Sequence, residues 1–161
     1  MSKMNIAGKE LHQYKECGLD NIYLVGGVTR RKTPRGEVVH IEDVKGLHAA
    51  IGRMLVQEKK RLNGRELRFL RHEINLTQEN LAALLGTDAQ NVARWEKGKV
   101  KVPGPGDRLI RLLYREHASG NKAILEPLQE LAGLDELLKD EELSPVIFND
   151  GEHGWEIACA A

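Results

Sequence analysis

The stretch LTQENLAALLGTDAQNVARWEKGK, Leu76–Lys99, decides the fold. Thr77 is a good N-cap for a short helix, and Leu76 and Leu81 stand where a hydrophobic staple fixes the entry of the chain. Gly86 permits the left-handed residue that ends this helix. Asp88, or Thr87, caps a second helix almost at once, and Gly98 terminates it. The inward positions are Leu81, Leu85, Val92 and Trp95. Two helices joined by so short a turn cross steeply, and Ala82 supplies the small residue that close approach needs. Val92 and Trp95 hold the second helix by one edge. Ala89, Gln90, Asn91, Arg94 and Lys97 are left facing outward. The plain alternative is a helical hairpin within a core.

The outward face distinguishes these readings. Amide side chains can bond adenine bidentately and guanidinium groups guanine, so Gln90, Asn91 and Arg94 are candidate base contacts. Gln78 opens the first helix, where free N–H groups and the positive dipole end suit a phosphate. Lys97 and Lys99 stand where a neighbouring phosphate strand would run. Counted from Gln78, the small residue is fifth, the glycine ninth, and apolar residues fall at positions four, eight, fifteen and eighteen. That is helix-turn-helix spacing. Thr87 departs from it, because the motif usually has an aliphatic residue there.

At LTQENLAALLG and VARWEKGK the chain resembles the Cro/C1-type (XRE) helix-turn-helix family, over about Gly64 to Glu116. The resemblance implies a five-helix, lambda-repressor-like DNA-binding domain. With a small β-containing module ahead of it, the arrangement is similar to MqsA-type antitoxins. In that family an amide and an arginine four residues later read bases; the matching residues here are Gln90 and Arg94. Its members repress their own operon as dimers and neutralise a toxin ribonuclease. Many also hold zinc through two Cys-x-x-Cys pairs. Here the N-terminal region keeps only Cys17, and a structural zinc needs four ligands. No metal or cofactor is expected.

Working outward, the 161 residues fit one ordinary domain or two small ones. With few aromatics, the core must be mainly aliphatic. Cys17 and Cys159 indicate no disulfide framework. No signal peptide or bilayer-length apolar run is evident, so the expectation is a cytoplasmic protein with no membrane partner. Net charge is zero but unevenly spread. Residues 58–122 carry fourteen Lys/Arg against eight Asp/Glu, whereas 123–161 carry one against ten. A basic middle suits a polyanion, although charged residues also simply solvate helices.

The expected fold is mainly α in three parts. Residues 1–60 form a small α+β module, with strands at about 21–26 and 37–42 paired as a hairpin and a helix at about 43–59. The opening residues read as a short helix or irregular chain, and TRRKTPRG as a basic turn. Residues 61–118 form the helix-turn-helix domain. In its first helix Leu67, Leu70 and Ile74 face one way and Arg65, Arg68, Arg71 and His72 the other. In its last, Leu109, Leu112 and Leu113 face inward and Arg108, Arg111 and Arg115 outward, with Pro103 and Pro105 keeping the start extended. Residues 119–161 form an acidic helix, interrupted near Pro127 or Gly133, and strands at VIF and WEIAC that can join the N-terminal hairpin.

Other features are weaker. Cys17 reads as a small hydrophobe rather than a redox centre. GVTRRKTPRGE can grip phosphates or a protein partner, or be a solvated loop. His40 and His48 lack an accompanying nucleophile, and no catalytic motif is present. The functional expectation is therefore a non-enzymatic, homodimeric repressor of a palindromic operator in double-stranded DNA. On the MqsA-type resemblance it is the antitoxin and autoregulator of a toxin–antitoxin operon, with a cognate toxin as partner. The alternative is a free-standing regulator that senses a ligand or partner through the N-terminal module.

Overall fold

The computed structural model describes residues 5–6, 8–137 and 146–158. In chain order the elements are β1 (Asn5–Ile6), β2 (Lys9–Gln13), β3 (Tyr23–Val25), β4 (Val28–Thr33) and β5 (Gly36–Ile41). Then follow α1 (Val44–Gln57), α2 (Gly64–Glu73), α3 (Gln78–Leu84), α4 (Ala89–Glu96), α5 (Gly104–Ser119) and α6 (Leu125–Leu137). β6 (Phe148–Gly151) and β7 (Gly154–Ile157) close the described chain. Among the described residues the architecture is mixed α/β, with six helices and three small antiparallel sheets, rather than mainly α. No helix among the described residues is long and apolar enough to cross a membrane.

The N-terminal strands pair differently from the expected hairpin. β3 pairs with β2, in a stretch expected to be helical or irregular, to give a sheet of order β1-β2-β3. β5 pairs with β4, which includes most of the expected basic turn, from Val28↔Ile41 to Thr33↔Gly36. The reason lies in the turns. Gly26 and Gly27 both take positive φ and cut β3 from β4. Pro34-Arg35 form a two-residue connection, with Gly36 at φ 128° closing it. Residues 29–32 and 34–40 are exposed, so this two-stranded ribbon needs no apolar alternation to betray it. At the C-terminus β6 and β7 pair with each other and, among the described residues, do not join the N-terminal strands. Cys159 lies outside the described residues.

Helices α1 to α5 share one mainly aliphatic core. Leu55, Leu67, Leu70, Leu81, Val92 and Ile110 are fully buried, and Tyr14 and Leu19 from the N-terminal module belong to the same cluster. α2 lies at its centre, against α1, α4 and α5. It starts at a capping box: Asn63 accepts from the Glu66 backbone N–H at 3.0 Å, and Glu66 Oε2 accepts from the Asn63 N–H at 2.8 Å. It ends at Asn75, left-handed at φ 57°. α1 meets α5 closely because Gly52 leaves room for the Tyr114 hydroxyl.

Two charged side chains expected at the surface are inward. Arg71 is buried on α2. Arg111 is half-buried on α5, where it bonds Asp107 at 2.5 Å and donates to the carbonyls of Leu55, Val56 and Lys59 at 2.9–3.1 Å, closing the end of α1. Leu112, expected inside, is exposed, and Ile110 takes the core position. α5 begins at Gly104, so only Pro103 is extended and Pro105 sits in the first turn, where its missing N–H costs nothing. α6 runs unbroken through Pro127 and Gly133. Pro127 is again in a first turn, and Glu116 accepts the N–H groups of Ile124 and Leu125 just ahead of it.

Candidate nucleic-acid interface

The local chemistry of Leu76–Lys99 sets the α3–α4 pair. Thr77 accepts from the Asn80 N–H at 3.0 Å and caps α3. Gly86, at φ 64°, ends it: its N–H reaches the Ala83 carbonyl, and the Thr87 N–H the Ala82 carbonyl. That is the paired bonding of a Schellman cap. Asp88 accepts from the Asn91 N–H at 2.8 Å and caps α4. Gly98 repeats the Schellman pattern, with Gly98 N–H to Trp95 O and Lys99 N–H to Arg94 O. Both helix lengths are thus fixed by caps that can be named in the sequence.

Packing then sets which face of α4 is free. Leu81, Ala82 and Val92 are buried, and Leu85 and Trp95 are half-buried against the same cluster. The inner side of α4 is Val92 and Trp95, as expected, together with Glu96, one turn beyond Val92. Glu96 is 7 % exposed, yet it is a carboxylate. Arg71 satisfies it from α2, with Nε to Oε1 at 2.6 Å and Nη2 to Oε2 at 3.0 Å. Gln78 at the start of α3 donates to Oε2 at 2.7 Å, and Arg71 Nη1 also donates to the Leu76 carbonyl at 2.7 Å. One polar knot therefore joins the start of α3, the end of α4 and the middle helix α2. Sequence reasoning missed it, placing Arg71 outward and giving Glu96 no part, although Glu96 stands four residues from Val92 and so must share its edge.

The expected base contacts divide. Gln90 and Arg94 are exposed one turn apart on the same face, and neither side chain makes a hydrogen bond or ion pair with a described residue. Asn91 is half-buried, and its amide donates to Thr87 Oγ1 at 2.9 Å. Thr87 at the turn thus partners a helix side chain where an aliphatic residue would only pack. Among the expected phosphate contacts, Lys97 and Lys99 are exposed and unpaired among the described residues. Gln78 is half-buried, with its amide turned to Glu96, so what it offers outward is the first backbone N–H of α3.

Charge around α4 is positive at its C-terminal end. Lys97, Lys99 and Lys101 are exposed, and Arg68 on α2 is exposed beside His72. His72 is itself exposed, and partial desolvation of its ring, followed by the charges of Arg71 and Arg68, lowers the imidazole pKa from its ordinary value. Arg71 Nη2 lies 3.5 Å from His72 Nε2, a contact that suits an unprotonated ring nitrogen. His48 on α1 bonds Tyr14 and Glu73 at 2.8 Å each, tying the N-terminal module to the helices behind this surface. No family model matches the chain, and no curated protein or solved structure matches it either.

Proposed function

We propose that the chain is a sequence-specific repressor that binds double-stranded DNA as a homodimer, with α4 laid in the major groove. One observation carries the reading: α4 is held through Val92, Trp95 and Glu96 on its inner side, while Gln90 and Arg94, one turn apart, are exposed on its outer face. An amide and a guanidinium in that register match the side chains that bond adenine and guanine bidentately. Gln90 and Arg94 read base edges, with Asn91 contributing its amide oxygen. Lys97, Lys99 and the Gln78 end of α3 hold the flanking phosphates. The test is selection of bound sequences from a random duplex pool by the purified full chain, followed by footprinting. The expected result is an inverted repeat with half-site centres roughly 34 Å apart, or a multiple of that. Recovery of no preferred sequence sinks the reading.

A second, compatible reading concerns the N-terminal module. Tyr23 and Val25 are exposed on β3, an edge strand, which suits a protein partner joining that edge. On this reading the chain is an antitoxin and autoregulator, and the partner is its cognate toxin. Purification from the native host with a stoichiometric small protein supports it. Repeated recovery of the chain alone, together with no adjacent toxin-like reading frame, removes it in favour of a free-standing regulator.

A further inference from the structure

The β4–β5 ribbon has no part in the reading above. It carries Arg30, Arg31 and Lys32 on β4 and Arg35 at its tip, all exposed. Register puts Arg30 and Lys32 on one face, opposite Val39 and Glu37, and Arg31 on the other, opposite Val38. Glu37 is the one acidic residue within the ribbon and faces Lys32 across the strands. None of Arg30, Arg31 and Arg35 forms an ion pair or side-chain hydrogen bond with a described residue. Four cations on eight residues, on both faces and at the tip, would repel one another in an isolated ribbon; a polyanion relieves that.

The mounting is firm although the ribbon is exposed. At its base the Glu42 N–H bonds the Gly27 carbonyl at 2.9 Å, and Ile41 packs against the core cluster. β5 then runs through Asp43 directly into α1, whose Gly46 N–H bonds the Asp43 carboxylate at 3.0 Å. The ribbon's foot thus leads into α1, which packs against α2 and α5. Six residues per strand give a reach of about 20 Å, enough to cross a major groove about 12 Å wide.

We propose that the β4–β5 ribbon is a second DNA-contacting element, which grips the phosphate backbone of the same duplex through Arg30, Arg31, Lys32 and Arg35. The proposal rests on the DNA-binding reading of α4 and adds sequence-independent affinity to it. Cations on both faces suit a groove, with phosphates on either side, better than one flat protein surface. The backbone-contact role predicts strong salt dependence and no base preference.

The test uses the full chain with Arg30→Gln, Arg31→Gln and Lys32→Gln combined, and Arg35→Gln separately. Both are measured by titration against the selected operator duplex and a random-sequence duplex of equal length, over a range of salt. The triple variant is expected to lose on the order of tenfold or more in affinity for both duplexes, with a salt slope shallower by about 2–3. Arg35→Gln should flatten the slope by about one. The selected sequence should stay the same, and so should the melting temperature, since the ribbon residues concerned are exposed. Wild-type affinity and slope in both variants overturn the ribbon's role and leave the α4 reading standing. Tighter binding by the triple variant also overturns it, because the ribbon would then be holding the acidic C-terminal region instead. A wild-type chain that binds neither duplex overturns both readings.

Discussion

Arg71 of α2 and Glu96 of α4 form a two-pronged ion pair, at 2.6 and 3.0 Å, in which both side chains are almost wholly shielded from water. The pair fixes the angle at which α4 leaves the core. Removing the arginine strands a buried carboxylate with only Gln78 to bond it. Arg71→Ala should therefore cost about 3–5 kcal/mol in chemical denaturation, the range for breaking a buried pair from one side. Replacing both partners, Arg71→Met with Glu96→Leu, should recover most of that loss. A single variant within about 1 kcal/mol of wild type would show that the carboxylate finds solvent, and that the knot is not what holds α4.

Gly64 makes a second, more rigid junction between the same helices. A Cβ there would overlap the Trp95 carbonyl oxygen, a backbone atom that can move only if α4 moves. Gly64→Ala is expected to destabilise by about 1–3 kcal/mol through overpacking, and to weaken DNA binding beyond the unfolded fraction because α4 shifts. Gly104→Ala is the control: at the start of α5 an added Cβ meets nothing. Equal stability and equal binding in the two variants would contradict the close approach.

The helical part was legible for a physical reason: each boundary of α3 and α4 is made by a residue with a local job. Thr77, Gly86, Asp88 and Gly98 act on backbone groups within a few residues, so sequence suffices. Arg71 and Glu96 meet across 25 residues and Arg111 reaches the Leu55 carbonyl across 56, and a charged residue looks solvated until its distant partner is known. Arg111 also shows why helical periodicity misled: its guanidinium caps α1 from what seemed the outer face. Pro127 seemed a breaker but stands in the first turn of α6, a placement fixed by Glu116. Of the ribbon, β5 was legible as the strand expected at about 37–42, whereas β4 was hidden because residues 29–32 are polar or charged and exposed on both faces. Of the site, the free pair Gln90 and Arg94 was visible from spacing, whereas the inward turn of the Gln78 amide was not.

Arg94 and Lys99 should fail in different ways. Arg94 is exposed on the outer face of α4, whereas Lys99 lies past Gly98 in the following segment. Arg94→Ala is expected to weaken binding to the selected operator by roughly 1–3 kcal/mol and to relax the base preference at one position per half-site. Lys99→Ala should weaken all duplexes alike and flatten the salt slope by about one. Competition titrations against single-base operator variants separate the two. An Arg94→Ala protein that binds its operator as tightly as wild type would remove the base-contact assignment.

His72 gives the surface a pH dependence whose sign follows from its neighbours. Partial desolvation of this exposed residue's ring and the nearby Arg71 and Arg68 charges lower its pKa in the folded chain below the ordinary value near 6.5. The unfolded chain then takes up its proton first as pH falls. The contribution of neutral His72 to stability is complete above about pH 6.5 and is lost as pH falls through the folded-state value. The melting temperature of wild type should therefore drop relative to His72→Gln as pH is lowered from neutral, because glutamine cannot take up the proton. Arg68→Ala removes one of the lowering charges, so the His72 titration followed by NMR should move upward. Parallel stability profiles for wild type and His72→Gln across that window would mean that the ring is solvated and that Arg71 does not lean on it.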